Sequence, residues 1–139
     1  MLLLKHTDVR SGYINILRIK TKVYLKLKLE PEALEIINRY KGTDYLLNIM
    51  DVYGDYDDFR RKMNKYLYTI IPGLTVYWAR HTWATFAAEL DVPDAVIDMA
   101  QAHKLKGMNA VYVARNVAKV YEANRKVIDY VFTTPFADR

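Results

Sequence analysis

The period of the hydrophobic pattern changes once along this chain, and that change constrains the fold more than any other feature. Before residue 30, apolar and polar side chains alternate. From 22 to 29 the apolar set is Val23, Leu25, Leu27 and Leu29 against Lys22, Tyr24, Lys26 and Lys28, and residues 13 to 19 alternate in the same way. Period two is the repeat of a strand. Residues 13–29 therefore predict a β-hairpin turning near Lys20 and Thr21, with a second strand apolar on one face and basic on the other.

From Pro31 onward the repeat becomes three or four. Pro31 suits the first position of a helix, Leu34, Ile37 and Tyr40 share a stripe, and Gly42 is placed to end it. Residues 43–58 hold Asp44, Asp51, Asp55, Asp57 and Asp58 without a lysine or arginine, which predicts an acidic loop, with Asp55 or Asp57 capping the next helix. Phe59, Met63, Tyr66 and Ile70 predict that this helix is amphipathic and is stopped by Pro72 and Gly73. Thr75 is a plausible cap for a segment in which Ala79, Trp83, Phe86, Ala87 and Leu90 form an apolar stripe. Short helices over 93–104 and 108–115 come next, then a last one carrying Val117, Val120, Asn124, Val127, Ile128 and Val131. The expectation is one domain over 1–139, mainly α with a small β-hairpin near the N-terminus, an α+β fold with the hairpin at 13–29 and a helical body at 31–132.

A hydrophobic content of 52% supplies a core for 139 residues. The absence of cysteine excludes a disulfide framework, a zinc ribbon and a thiol nucleophile. Net charge is +5, and within residues 1–28 the basic residues Lys5, Arg10, Arg18, Lys20, Lys22, Lys26 and Lys28 face Asp8 alone, with Tyr13 and Tyr24 among them. Such a cluster is either a solvated strand face or a surface for a polyanion such as nucleic acid. No apolar run approaches the length of a membrane span, and residues 2–4 are too short for a signal-peptide core, so a soluble cytoplasmic protein is expected. Glycine-rich phosphate loops, H-E-x-x-H and G-x-S-x-G are absent, and His6, His81 and His103 lack metal-site spacing, so neither metal nor cofactor is expected.

What remains is Tyr77-Trp78-Ala79-Arg80-His81-Thr82-Trp83-Ala84-Thr85, then Gln101-Ala102-His103, then Tyr112 nine residues further on. This series resembles the tyrosine recombinase, or phage integrase, family, whose catalytic domain carries H-x-x-R-H-T-x-A-T, a helix ending in L-G-H, and a nucleophilic tyrosine about nine residues later. Arg18-Ile19-Lys20-Thr21 is similar to the family's lysine-bearing hairpin, and Ala123-Asn124-Arg125-Lys126-Val127-Ile128 to the closing helix of integrases from mobile elements.

The resemblance implies a recombinase-like fold and DNA cleavage through a 3′-phosphotyrosyl intermediate, without metal or ATP. Tyr112 would be the nucleophile, Arg80 a forked clamp on the phosphate, His103 a hydrogen-bond donor to it, and Lys20 the general acid that protonates the departing 5′-oxygen, with Lys22 beside it as the rival for that role. Arg18, Lys22, Lys26 and Lys28 would contact double-stranded DNA, and the last helix would serve self-association or pack on its own domain. Convergence of cationic donors is what the chemistry requires, because charge develops on nonbridging phosphate oxygens. The competing structural readings are a packing role for Tyr112, an ordinary helix arginine for Arg80, a helix-terminal cation for His103, a solvated turn for Lys20, and a core role for His81, Trp83 and Thr85 in orienting the arginine helix.

Three departures bear on function. Tyr77 stands where the family has a histidine, so a hydroxyl replaces an imidazole; Gln101-Ala102-His103 replaces L-G-H; and no residue answers to the family's first catalytic arginine, which lies upstream of the segment that Leu3 to Ile14 resembles. A catalytically incomplete DNA-binding remnant is therefore the alternative, whether as a fragment or a truncated product, and an unrelated helical DNA-binding or interaction domain is the third. Should Tyr112 not be the nucleophile, Tyr121 is the next candidate by position.

Overall fold

The computed structural model describes residues 3–18, 23–103 and 117–133. It is a mixed α+β structure: strands β1 (Val9–Arg10), β2 (Tyr13–Arg18) and β3 (Val23–Lys28) in one sheet of that order, then helices α1 (Pro31–Arg39), α2 (Ile49–Tyr53), α3 (Tyr56–Ile70), α4 (Trp78–Glu89), α5 (Asp94–Ala100) and α6 (Val117–Thr133). The chain divides into two compact units, one of residues 1–15 and 28–79, the other of residues 16–27 and 80–139.

In the first unit, β1 and β2 are antiparallel, with Val9 opposite Ile14 and Arg10 opposite Tyr13. The two residues between them, Ser11 and Gly12, have φ of 50° and 79°. Two consecutive positive φ values make the tight turn whose twist matches that of paired strands. The second strand of the predicted hairpin keeps its alternation: Leu25 and Leu29 are buried while Tyr24, Lys26 and Lys28 are exposed. The carboxylate of Glu30, itself buried, is met by the Lys28 ammonium at 3.5 Å.

Pro31 opens α1 as its first residue, and an Arg39–Glu35 pair at 2.6 Å one turn apart supports its last turn. Gly42 does not end this helix through a left-handed conformation. A Cβ there would lie 2.6 Å from the carbonyl oxygen of Leu47 and 2.7 Å from that of Tyr45, so glycine is required by close backbone approach. Its carbonyl accepts a hydrogen bond from Nε2 of His6 at 2.9 Å.

The acidic segment is not all loop, since α2 lies within it. Asp55 caps α3 by accepting from the Asp58 amide at 2.8 Å. Asp58 in turn holds Lys62 at 2.7 Å and Arg61 at 2.6 Å, and these hydrogen bonds, Lys62 foremost, keep its carboxyl below the usual range. The inward face of α3 is Tyr56, Phe59, Met63 and Leu67; Tyr66 and Ile70, expected on that stripe, are exposed. Asn64 accepts from the Val76 amide at 2.9 Å and ties down the segment after the helix.

The second unit has its own core. Ala87, Val92, Val96, Val120, Ala123 and Val127 are buried together, with Leu27 of β3 and Trp83, Phe86, Leu90, Ile97, Met99, Ala100 and Val131 packed around them. Trp83 donates its indole N–H to Asn124 at 3.3 Å, so the one polar residue on the α6 stripe satisfies a polar atom of α4. Phe86 meets Tyr130 edge-on at 5.3 Å, and the Tyr121 hydroxyl donates to the Lys26 carbonyl at 3.2 Å. Trp83 thus packs as expected, whereas His81 and Thr85 are exposed.

Candidate functional site

Helix α5 ends in a defined way. The Ala102 amide bonds to the Met99 carbonyl and the His103 amide to the Asp98 carbonyl, both at 2.8 Å, and Ala102 has φ of 52°. That pair of bonds around a left-handed residue is the Schellman motif, usually built with glycine. Ala102 occupies the glycine position of L-G-H and adopts the conformation a glycine would. The motif places the residue after the left-handed position beside the residue five positions back, usually as an apolar contact. Here those residues are His103 and Asp98, and Nδ1 of the ring lies 2.8 Å from the Asp98 carboxylate.

Arg80 reaches the same helix end from the first turn of α4. Its Nη2 donates to the Gln101 carbonyl at 2.6 Å and meets Nε2 of His103 at 2.9 Å, while the Gln101 side chain donates back to the Arg80 carbonyl at 3.1 Å. A cation in a helix's own first turn opposes the dipole, but this one sits on the C-terminal carbonyls of another helix, where positive charge is favourable.

The hydrogen-bond roles follow from inventory. Guanidinium has donors and no acceptor, so Nε2 of His103 must offer its lone pair to Arg80. The ring proton then resides on Nδ1 and goes to Asp98. The result is a directed chain, guanidinium to imidazole to carboxylate, built across 23 residues between Arg80 and His103. The His103 and Asp98 side chains remain 43% and 51% exposed, so a ligand can reach them. Such a chain can receive an anion. It contains no hydroxyl or thiol, and among the described residues no group of three His, Asp or Glu is placed to hold a metal.

The other candidates are spread more widely. Tyr77 precedes α4 and is 56% exposed. Lys26 and Lys28 lie exposed on β3, Lys28 beside Glu30. Arg18 is the last residue of β2, and its side chain, together with Lys20, Lys22 and Tyr112, lies outside the described residues. Tyr121, the reserve nucleophile, is engaged through its hydroxyl with the Lys26 carbonyl. Asp98 and the Gln101 carbonyl were not anticipated from sequence. The available signal was positional: if the residue before His103 is left-handed, the side chain five residues back becomes its neighbour.

No family model matches the chain, and neither a curated protein nor a solved structure matches it. No helix among the described residues is long and apolar enough to cross a membrane.

Proposed function

We propose that this chain carries the C-terminal part of a tyrosine recombinase catalytic domain, acting on double-stranded DNA by strand cleavage and religation. The observation that supports this reading most is the 2.9 Å approach of Arg80 to His103, because the resemblance gives both of them to the phosphate and they lie far apart in sequence. In the reaction the Tyr112 oxygen gives up its phenolic proton to solvent and attacks a backbone phosphorus, and a 3′-phosphotyrosyl ester forms as the bond to the 5′-oxygen breaks. Lys20 delivers the proton that the leaving 5′-oxygen takes up. Arg80 and His103 stabilise charge on the nonbridging oxygens. Attack by the freed 5′-hydroxyl on the ester reverses the step and reseals DNA. The mixed helical and hairpin architecture and the basic face of β3 are compatible with this assignment, and self-association through α6 belongs to the same proposal.

The test is a nicked suicide DNA substrate, scored for a covalent protein–DNA adduct after denaturation. Any coding sequence in frame upstream of Met1 is included in the protein tested, because the resemblance puts the family's first arginine before the segment that Leu3 to Ile14 resembles. Adduct without added metal, lost in Tyr112→Phe and in Arg80→Ala, is the expected result. Adduct that persists in Tyr112→Phe overturns the nucleophile. Duplex binding with no adduct in any form favours the second reading, a DNA-binding remnant of an integrase.

A further inference from the structure

We infer that Asp98 is the positioning residue of this site: it holds the Nδ1 proton of His103 and thereby dedicates Nε2 to the phosphate that Arg80 receives. The inference rests on the reading of Arg80 and His103 as phosphate-contacting residues. Three observations carry it. The carboxylate lies 2.8 Å from Nδ1, and the backbone bond from the His103 amide to the Asp98 carbonyl, also 2.8 Å, fixes the two residues against each other. The guanidinium at Nε2 can only donate, so it accepts one tautomer of the neutral ring and rejects the other. Finally, an acidic side chain in the last turn of a helix opposes the dipole there, so Asp98 is poorly placed for helix stability alone.

The consequence for a bound phosphate is specific. When a phosphate oxygen takes the Arg80 hydrogen that now goes to Nε2, the imidazole faces an anion with a lone pair. It can donate only after a proton arrives at Nε2, and the imidazolium so formed keeps its Nδ1–H on the Asp98 carboxylate, which balances the charge. Without Asp98 the Nδ1 proton loses its acceptor, and Arg80 alone opposes the other tautomer, which places an N–H against the N–H of Arg80. In that tautomer His103 no longer helps to orient the guanidinium, which the Gln101 carbonyl still holds.

The experiment is a long-range 1H–15N correlation on the full chain with 15N-labelled histidine, which distinguishes the two neutral tautomers and the imidazolium. His6 serves as internal reference, because its Nε2–H donates to the Gly42 carbonyl. His103 should appear as the Nδ1–H form in the native chain and in Asp98→Asn, whose amide oxygen still accepts, and shift toward Nε2–H in Asp98→Ala, while His6 stays unchanged. An Nε2–H pattern in the native chain, or an unchanged His103 pattern in Asp98→Ala, overturns the role of Asp98. A short nicked duplex is then added. Protonation at Nε2 with Nδ1–H retained, lost in Arg80→Ala, supports the phosphate as the ligand. A His103 tautomer that depends on Asp98 but does not respond to duplex keeps the proton assignment and overturns the phosphate reading.

Discussion

Arg80, in the first turn of α4, donates to the carbonyl of Gln101 at the end of α5, and the distance is 2.6 Å. The contact joins two helices through their opposite ends and sets a guanidinium beside an exposed imidazole. Replacing Arg80 by alanine removes both bonds of Nη2 and should cost about 1–3 kcal/mol of stability. Denaturant titration of Arg80→Ala and Arg80→Lys checks this, with lysine retaining charge but not the planar fork. A loss below about 0.5 kcal/mol in Arg80→Ala would show that the contact does not support the fold.

The basic face of β3 should govern DNA affinity. Each phosphate neutralised by a lysine releases counterions, so affinity falls steeply as salt rises. Neutralising Lys22, Lys26 and Lys28 together should weaken duplex binding and lower the salt slope by roughly two to three units. Titrations at two salt concentrations measure this, and an unchanged slope moves the DNA surface elsewhere.

Gly42→Ala should destabilise by about 1–3 kcal/mol, since the new methyl meets backbone oxygen atoms at 2.6 and 2.7 Å that no side-chain rotation can clear. The Tm of this variant against that of an exposed helix substitution such as Lys65→Ala gives the comparison. A Tm equal to that of the native chain would mean that the backbone around Leu47 yields freely.

Among the described residues, two left-handed residues other than glycine come after helices, and they should respond differently to glycine. Asp91, φ 56°, ends α4 through the bonds Val92 N–H to Ala87 and Asp91 N–H to Ala88, and its side chain is exposed. Asp91→Gly should therefore stabilise by about 0.5–1 kcal/mol. Ala102, φ 52°, is buried, so loss of its methyl, about 0.8 kcal/mol, offsets the relieved strain and Ala102→Gly should be near neutral. Equal gains in chemical denaturation would mean that the Ala102 methyl packs against nothing of consequence.

Acidification should loosen the start of α3. The carboxyl of Asp58 titrates below its unfolded value, because Lys62 and Arg61 donate to it. Its stabilising contribution is thus complete above the unfolded pKa, about 3.9, and is lost as pH falls through the lower folded value. Amide exchange of the first turn, measured down a pH series, should show this loss in the native chain and a flatter profile in Asp58→Asn.

Much of the fold was legible because it depends on local period and termini. Pro31, Asp55 and the Tyr24-to-Leu29 alternation act within a few residues of themselves, and the structure places each accordingly. Strand β1 is not legible because two residues carry no period, although Ser11-Gly12 is a turn signal. On α3 the pattern fixed the helix but not its rotation, since Tyr66 and Ile70 are as apolar as the residues that turned inward. The reason for Gly42 lies in a backbone several residues away. At the candidate site, Arg80 and His103 could be named from spacing. Asp98 could not, because its partnership exists only once Ala102 turns left-handed, a choice that an alanine does not advertise.

The bond from Tyr121 to the carbonyl of Lys26 spans 95 residues of sequence. On a ribosome adding about 5–20 residues per second, the strand that carries Lys26 is made roughly 5–20 s before its helical partner. For the first half of that interval Leu27, which packs against the core of α4, α5 and α6, has none of those neighbours to cover it, and for the rest it lacks α6. The newborn chain therefore passes through a period when the outer part of its hairpin is sticky, and slower decoding downstream of residue 30 would lengthen its exposure to chaperones and to other copies of itself.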